Sequence, residues 1–212
     1  MSDAPGTTES TPNPTLDVSD LPAFAFGART PIFWGVVLLM AIETTMLALM
    51  VLSYFYVRGN FTSWPPTWAG DRSFHLATVG VALLVVSAVP NHLMAAAAVA
   101  GRIKRARTWL IVTTALGAAA FATRVLEFPR LQFRWDTHAY GSAVWGILGL
   151  NTFHQVTALA ENLVMLALLL IGPVEQKHRH DLELGGYFWY WLIATTVPLY
   201  AIVYLEPLVF PR

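Results

Sequence analysis

Apolar residues fall into five long runs along the chain, and polar residues gather in the segments between them. The runs cover residues 31–56, 74–99, 107–128, 141–171 and 186–205. Each reaches the roughly 20 residues that a helix needs to cross the ~30 Å hydrocarbon core of a bilayer. A chain inside that core must satisfy every backbone amide internally, so the runs predict helices. The third run is the weakest by hydropathy because TTALGAAAFAT is only mildly apolar. Its small residues suit close helix contact, and without it two loops would land on contradictory sides. The predicted fold class is all-α, an integral membrane bundle of five transmembrane helices over residues 21–212. Residues 1–20 are polar and rich in Ser, Thr and Pro, which predicts a flexible cytoplasmic tail. They carry neither the basic segment nor the short apolar core of a signal peptide.

The loops predict an orientation. GRIKRAR, residues 101–107, places four basic residues between the second and third runs, and EQKHRHD, residues 175–181, places two more between the fourth and fifth. Both fall on one side, which the positive-inside rule makes cytoplasmic. The opposite loops carry Arg58, Arg72, Arg130 and Arg134, but the two lysines, Lys104 and Lys177, are both on the assigned inside. The N-terminus is then inside and the C-terminus outside. Arg102, Lys104, Arg105 and Arg107 are placed to meet anionic lipid head groups. Tryptophans and tyrosines at both ends of the runs, among them Trp34, Trp109, Tyr54, Tyr56, Trp64, Trp135 and Tyr140, read as interfacial belts.

Composition narrows the function classes. Hydrophobic residues make up 56% of the 212 and charged ones 12%, a balance outside the soluble range. The 13 basic and 13 acidic side chains cancel, so no global field recruits nucleic acid. Cysteine is absent, which removes disulfides, thiolate metal sites and a Cys nucleophile. Glycine-rich phosphate loops and nucleophile–base constellations are missing too. No internal repeat is visible, and the Pro-interrupted helices do not occupy corresponding halves as in inverted-repeat transporters.

Against this apolar background the ionisable residues at depth are costly, so they face the bundle, a partner or water. Glu43 is thirteenth of 26 residues in its run, about 18 Å from either surface at 1.5 Å per residue, and its short stem cannot snorkel. On the fourth run Asn151, His154 and Glu161 recur at spacings of three and seven, on one helix face. Counted from the middle of that antiparallel run, His154 is outward of centre, Glu161 inward, and Glu43 lies between them in depth. His92 follows Pro90 in the second run at about the depth of Glu161. Three readings fit these groups: interhelical hydrogen bonds that hold the bundle together, proton handling by a carrier or channel using Glu43 and Glu161, and axial haem or copper ligation by His92 with His154.

In order, these features resemble subunit III of the haem–copper terminal oxidases. FWGVVLLMAIE looks like the family's WWG…E segment, and Glu43 falls on its buried glutamate. Trp64-Pro65-Pro66 matches the WPP of the next loop. Glu127-Phe128 resembles the family's acidic-aromatic helix end, and Tyr140-Gly141-Ser142 comes after it at a similar distance. GLNTFHQV is similar to GFHGLHV, with His154 in place of the second histidine and Asn151 in place of the first. Glu183 and Trp189-Tyr190-Trp191 resemble the acidic residue and WYWHFVD of the last helix. The chain departs at Leu192, Thr195 and Arg124, where the family has histidine, aspartate and Gln or Glu. It also lacks the two extra N-terminal helices of the longer form, so it resembles a divergent five-helix bacterial version.

The resemblance implies a subunit that carries no haem or copper of its own, sits beside catalytic subunit I, binds phospholipid between its helices and supports proton uptake and enzyme longevity. Haem and copper would reside in partner subunits. It leaves open a relative serving a nitric oxide reductase. Glu43, Asn151, His154, Glu161 and His92 are the expected intramembrane polar cluster, and no residue is expected to be catalytic or to ligate a metal.

Overall fold

Five long helices account for most of the residues described by the structure, a computed structural model covering residues 31–67, 74–171 and 176–210. They are α1 (Pro31–Gly59), α2 (His75–Val99), α3 (Ile103–Glu127), α4 (Ala139–Ile171) and α5 (Gln176–Tyr200). A π-helical turn (Ala201–Leu205) and a short α6 (Glu206–Val209) come after α5. Among the described residues, five stretches are long and apolar enough to cross a membrane. The predicted tail, residues 1–20, lies outside the described residues.

The elements begin and end for local reasons. Proline opens α1, where its missing N–H costs nothing and its fixed φ suits the first turn. α2 ends at a glycine cap: Gly101 has φ 68°, and the Arg102 and Gly101 amides donate back to the carbonyls of Ala97 and Ala98 at 2.8 and 3.0 Å. That turn lets α3 begin at Ile103, four residues before the predicted start. Lys104, Arg105 and Arg107 therefore lie on the first turns of a helix, not in a loop. Pro198 interrupts the ladder of α5 a turn before the π segment.

Small residues set the closest packing. α2 and α3 make the most extensive contact in the bundle, and a Cβ on Gly80 of α2 would fall 2.4 Å from Thr123 Oγ1 of α3. Ala97, Ala98 and Ala106 are buried in the same interface. α4 packs against α1, α3 and α5, while α5 also packs on α2. α1 is the peripheral helix: 6% of its most apolar window is buried, against 33–39% for the other four spans.

One end of the bundle is closed by aromatic rings. Tyr54, Trp64 and Tyr140 are fully buried, with Trp64 edge-on to both tyrosines at 5.0 and 4.9 Å and its Nε1 donating to Tyr54 Oη at 3.0 Å. These three are a plug and not the interfacial belt predicted for them, because the segment after α1 folds back over the end of α4. Tyr56, Trp135 and Trp34, at 77, 60 and 51% exposure, do face outward as belt residues would.

Candidate functional site: a polar hub on the fourth helix

α4 carries a line of buried polar side chains that reach three neighbouring helices. Asn151, His154 and Gln155 are each 2% exposed, and their spacing of three and four keeps them on adjoining faces one turn apart. Asn151 Nδ2 donates to Thr196 Oγ1 of α5 at 2.9 Å, and that hydroxyl donates to the Leu192 carbonyl at 2.7 Å. Gln155 Nε2 donates to the Gly117 carbonyl of α3 at 3.4 Å. His154 Nε2 lies 2.8 Å from Glu43 Oε2 of α1. A helix with polar groups aimed in three directions holds three partners in register, since each buried polar group is costly to leave unmet.

Of these contacts, Glu43–His154 is the one that reaches α1. The imidazole side chain is 3% exposed and the carboxylate side chain 20%. A neutral acid donating to a neutral imidazole and a carboxylate accepting from an imidazolium share this geometry and zero net charge. Either arrangement lets an acid sit at mid-span without an isolated charge in the apolar core. Trp191 of α5 closes the site: its ring meets His154 edge-on at 5.0 Å, and its Nε1 donates to Thr44 Oγ1, the residue after Glu43, at 2.8 Å. Phe188 stacks on Trp191 at 5.2 Å. Beside this joint an apolar groove of about 510 Å³ runs between α1 and α5, lined by Phe33, Met40, Thr44, Leu184 and Trp191 among others.

The other predicted members stand apart. Glu161 is two turns further along α4, about 10 Å from His154 by helical rise. Its carboxyl lies against Gly185 of α5, where an added Cβ would come 3.0 Å from Oε1. His92 is exposed on α2. With His154 Nε2 engaged by Glu43, the two histidines do not act as a ligand pair here, and no three His, Cys, Asp or Glu side chains gather as metal ligands among the described residues. Of the basic group, Arg102, Lys104 and Arg105 are exposed, but Arg107 turns inward and donates to the Leu169 carbonyl near the end of α4.

Several polar groups in the bundle do not stand out as site residues in the sequence. Gln155 and Thr196 are uncharged, so a hydropathy profile passes over them. The signal for Gln155 is its position four residues after Asn151. Ser87 of α2 accepts from Trp189 Nε1 of α5 at 2.8 Å, and Asn91 donates to the Gly186 carbonyl at 3.1 Å, a second joint between α2 and α5. Arg124 and Glu127 pair at 2.7 Å with side chains 9 and 4% exposed near the end of α3. They are three apart on a helix, a spacing that predicts contact.

No protein-family model matches the chain. It is 25% identical over 167 residues to cytochrome c oxidase subunit 3 of Alkalihalophilus pseudofirmus, a match covering 77% of this chain and 81% of that one. It is 20% identical over 181 residues to cytochrome c oxidase subunit 3 of Thermostichus vulcanus, covering 81% and 85%. Five apolar helices together with likeness over most of both chains make this protein a distant homologue of cytochrome c oxidase subunit 3.

Proposed function

We propose that the chain is an accessory subunit of a respiratory haem–copper terminal oxidase in a bacterial plasma membrane, with haem and copper held by partner subunits and not by this chain. The observation that carries this reading is the collinear likeness to two proteins named cytochrome c oxidase subunit 3 over about four fifths of each. The site chemistry is consistent with it. Glu43 and His154 are joined in a 2.8 Å contact between helices, which suits a group that supports the structure and proton balance of a complex better than one that turns over substrate. The groove between α1 and α5 is apolar and open along the membrane-facing helix, dimensions and chemistry that suit a phospholipid acyl chain, with Arg102, Lys104 and Arg105 free to meet head-group phosphates elsewhere.

Purification in mild detergent through a tag on this chain tests the reading. The expected result is co-purification, in fixed ratio, of larger membrane subunits that carry haem and consume oxygen. A chain that emerges alone, without a Soret band, and transports protons in liposomes would replace this reading with that of a carrier. Nitric oxide reduction by the co-purified complex would keep the accessory role and change the terminal acceptor.

A further inference from the structure

The buried ion pair on α3 does not stand alone. Glu127 Oε2 accepts from Arg124 Nη1 at 2.7 Å, but Glu127 Oε1 is fully buried and has no hydrogen-bond partner among the described residues. A carboxylate in an apolar bundle with one oxygen unmet is a costly arrangement. The pair borders a small chamber where α2, α3, α4 and α5 meet, lined on its polar side by Thr123, Arg124, Glu127, Gln155 and Thr196. The absence of a Cβ on Gly80 holds one wall open, since a methyl there would fall 2.4 Å from Thr123 Oγ1. The centre of a water-sized sphere can move through about 10 Å³ of this chamber. That is the room of one water molecule.

We propose that this chamber binds a single structural water, which donates to Glu127 Oε1 and ties the Arg124–Glu127 pair to Gln155 of α4 and Thr196 of α5. The donor and acceptor inventory is complete for such a ligand. Arg124 offers five N–H groups, of which one is spent on Glu127. Thr123 and Thr196 donate their protons to the Ala120 and Leu192 carbonyls, at 2.7 Å each, so each keeps acceptor capacity for a water O–H. Gln155 spends one amide N–H on Gly117 and has a second. A buried water makes about three hydrogen bonds, and this chamber supplies a carboxylate acceptor, a guanidinium donor and hydroxyl or amide groups for the third. A metal cation fits poorly, because the guanidinium beside the carboxylate already supplies the positive charge. The water extends the Asn151–Thr196 bond into a polar row from α3 through α5 to α4, ending one turn from His154.

The test is a density map of the intact complex, isolated through this chain, at a resolution that shows ordered waters. The expected result is one peak within hydrogen-bond distance of Glu127 Oε1 and an Arg124 nitrogen. In the Arg124→Leu/Glu127→Leu double variant, which removes both charges and fills the space, that peak should be lost while the surrounding helices keep their positions. A wild-type map with ordered waters at other buried sites and none here overturns the proposal. So does a map in which a lipid head group or a partner side chain meets Glu127 Oε1. If the double variant fails to assemble, the wild-type map still decides.

Discussion

At the scale of the residue, the contact between Glu43 and His154 decides how the bundle tolerates an acid at mid-span. Removing either partner leaves the other facing a low-dielectric interior alone, but the imidazole is the more deeply buried of the two. Glu43→Ala should therefore cost more through the stranded His154 than through the lost carboxylate. Polar pairs inside membrane proteins couple by about 0.6 kcal/mol on average and up to about 1.7 kcal/mol. The single variants Glu43→Ala and His154→Ala and their combination, measured by reversible unfolding in mixed detergent micelles, should be non-additive by about 1 kcal/mol. Glu43→Gln retains an amide that can donate to Nε2 and should fall within about 0.5 kcal/mol of wild type if His154 is neutral there. Additive losses would mean that the two side chains do not share a bond in the folded chain. Counting residues along two antiparallel helices puts Glu43 at a depth between His154 and Glu161, near enough for a contact with either. It is not enough to exclude Glu161 and His92, because depth says nothing of azimuth, and azimuth is set by how helices pack. His92 points outward at a depth where it was expected to point in.

At the scale of the element, glycine positions separate packing from propensity. Gly117 of α3 faces Trp189 of α5, and an added Cβ would lie 2.3 Å from the indole Cη2 of a ring that is 1% exposed. The indole cannot yield without breaking its bond to Ser87. Gly117→Ala should destabilise by about 1 to 3 kcal/mol, the range for an overpacked core. Gly149 of α4 meets nothing within 4 Å, and there the same change should be neutral or stabilise by up to about 1 kcal/mol through helix propensity. Thermal unfolding of the two variants in one detergent checks the sign of each. The existence of all five helices was legible from the five apolar runs; their ends were less so. Hydropathy marks the part of a helix that sits in hydrocarbon, whereas hydrogen bonding continues through residues such as Lys104 and Arg105, which are good helix formers. For the same reason α1 continues through Gly59 and α4 starts at Ala139, each a little beyond the apolar run that announced it. The fate of Tyr54, Trp64 and Tyr140 was hidden for a different reason. An aromatic residue near a helix end reads alike as a belt or a plug until the chain beyond the helix is placed.

At the scale of the whole molecule, the bundle has two chemically different ends, and the difference predicts how it sits in its membrane. The α2–α3 turn and the first turn of α3 carry Arg102, Lys104 and Arg105, all exposed. The opposite end is capped by the aromatic plug and by Arg58, which is neutralised by Glu206 and donates to the Phe210 carbonyl at 2.8 Å. At that end Arg58 and Arg134 are paired with carboxylates while Arg130 is exposed, so the pairing strengthens an asymmetry that a count of loop residues leaves moderate, because an arginine held by a carboxylate carries little net charge for retention on the cytoplasmic side. α2 joins the two ends, and its 25 residues span about 37 Å at 1.5 Å per residue, so Thr62 and Ala100 are expected on opposite faces of the bilayer. The chain has no native cysteine, which makes Thr62→Cys and Ala100→Cys clean reporters, and both positions are exposed and leave every charge in place. A membrane-impermeant maleimide added to intact spheroplasts should label the Thr62→Cys protein and spare the Ala100→Cys protein until the membrane is opened. The reverse pattern would place the basic turn outside and the N-terminus with it on the other face from the one the charges predict. Equal labelling of both would mean that α2 does not cross the membrane, and the five-span reading of the whole chain would fall with it.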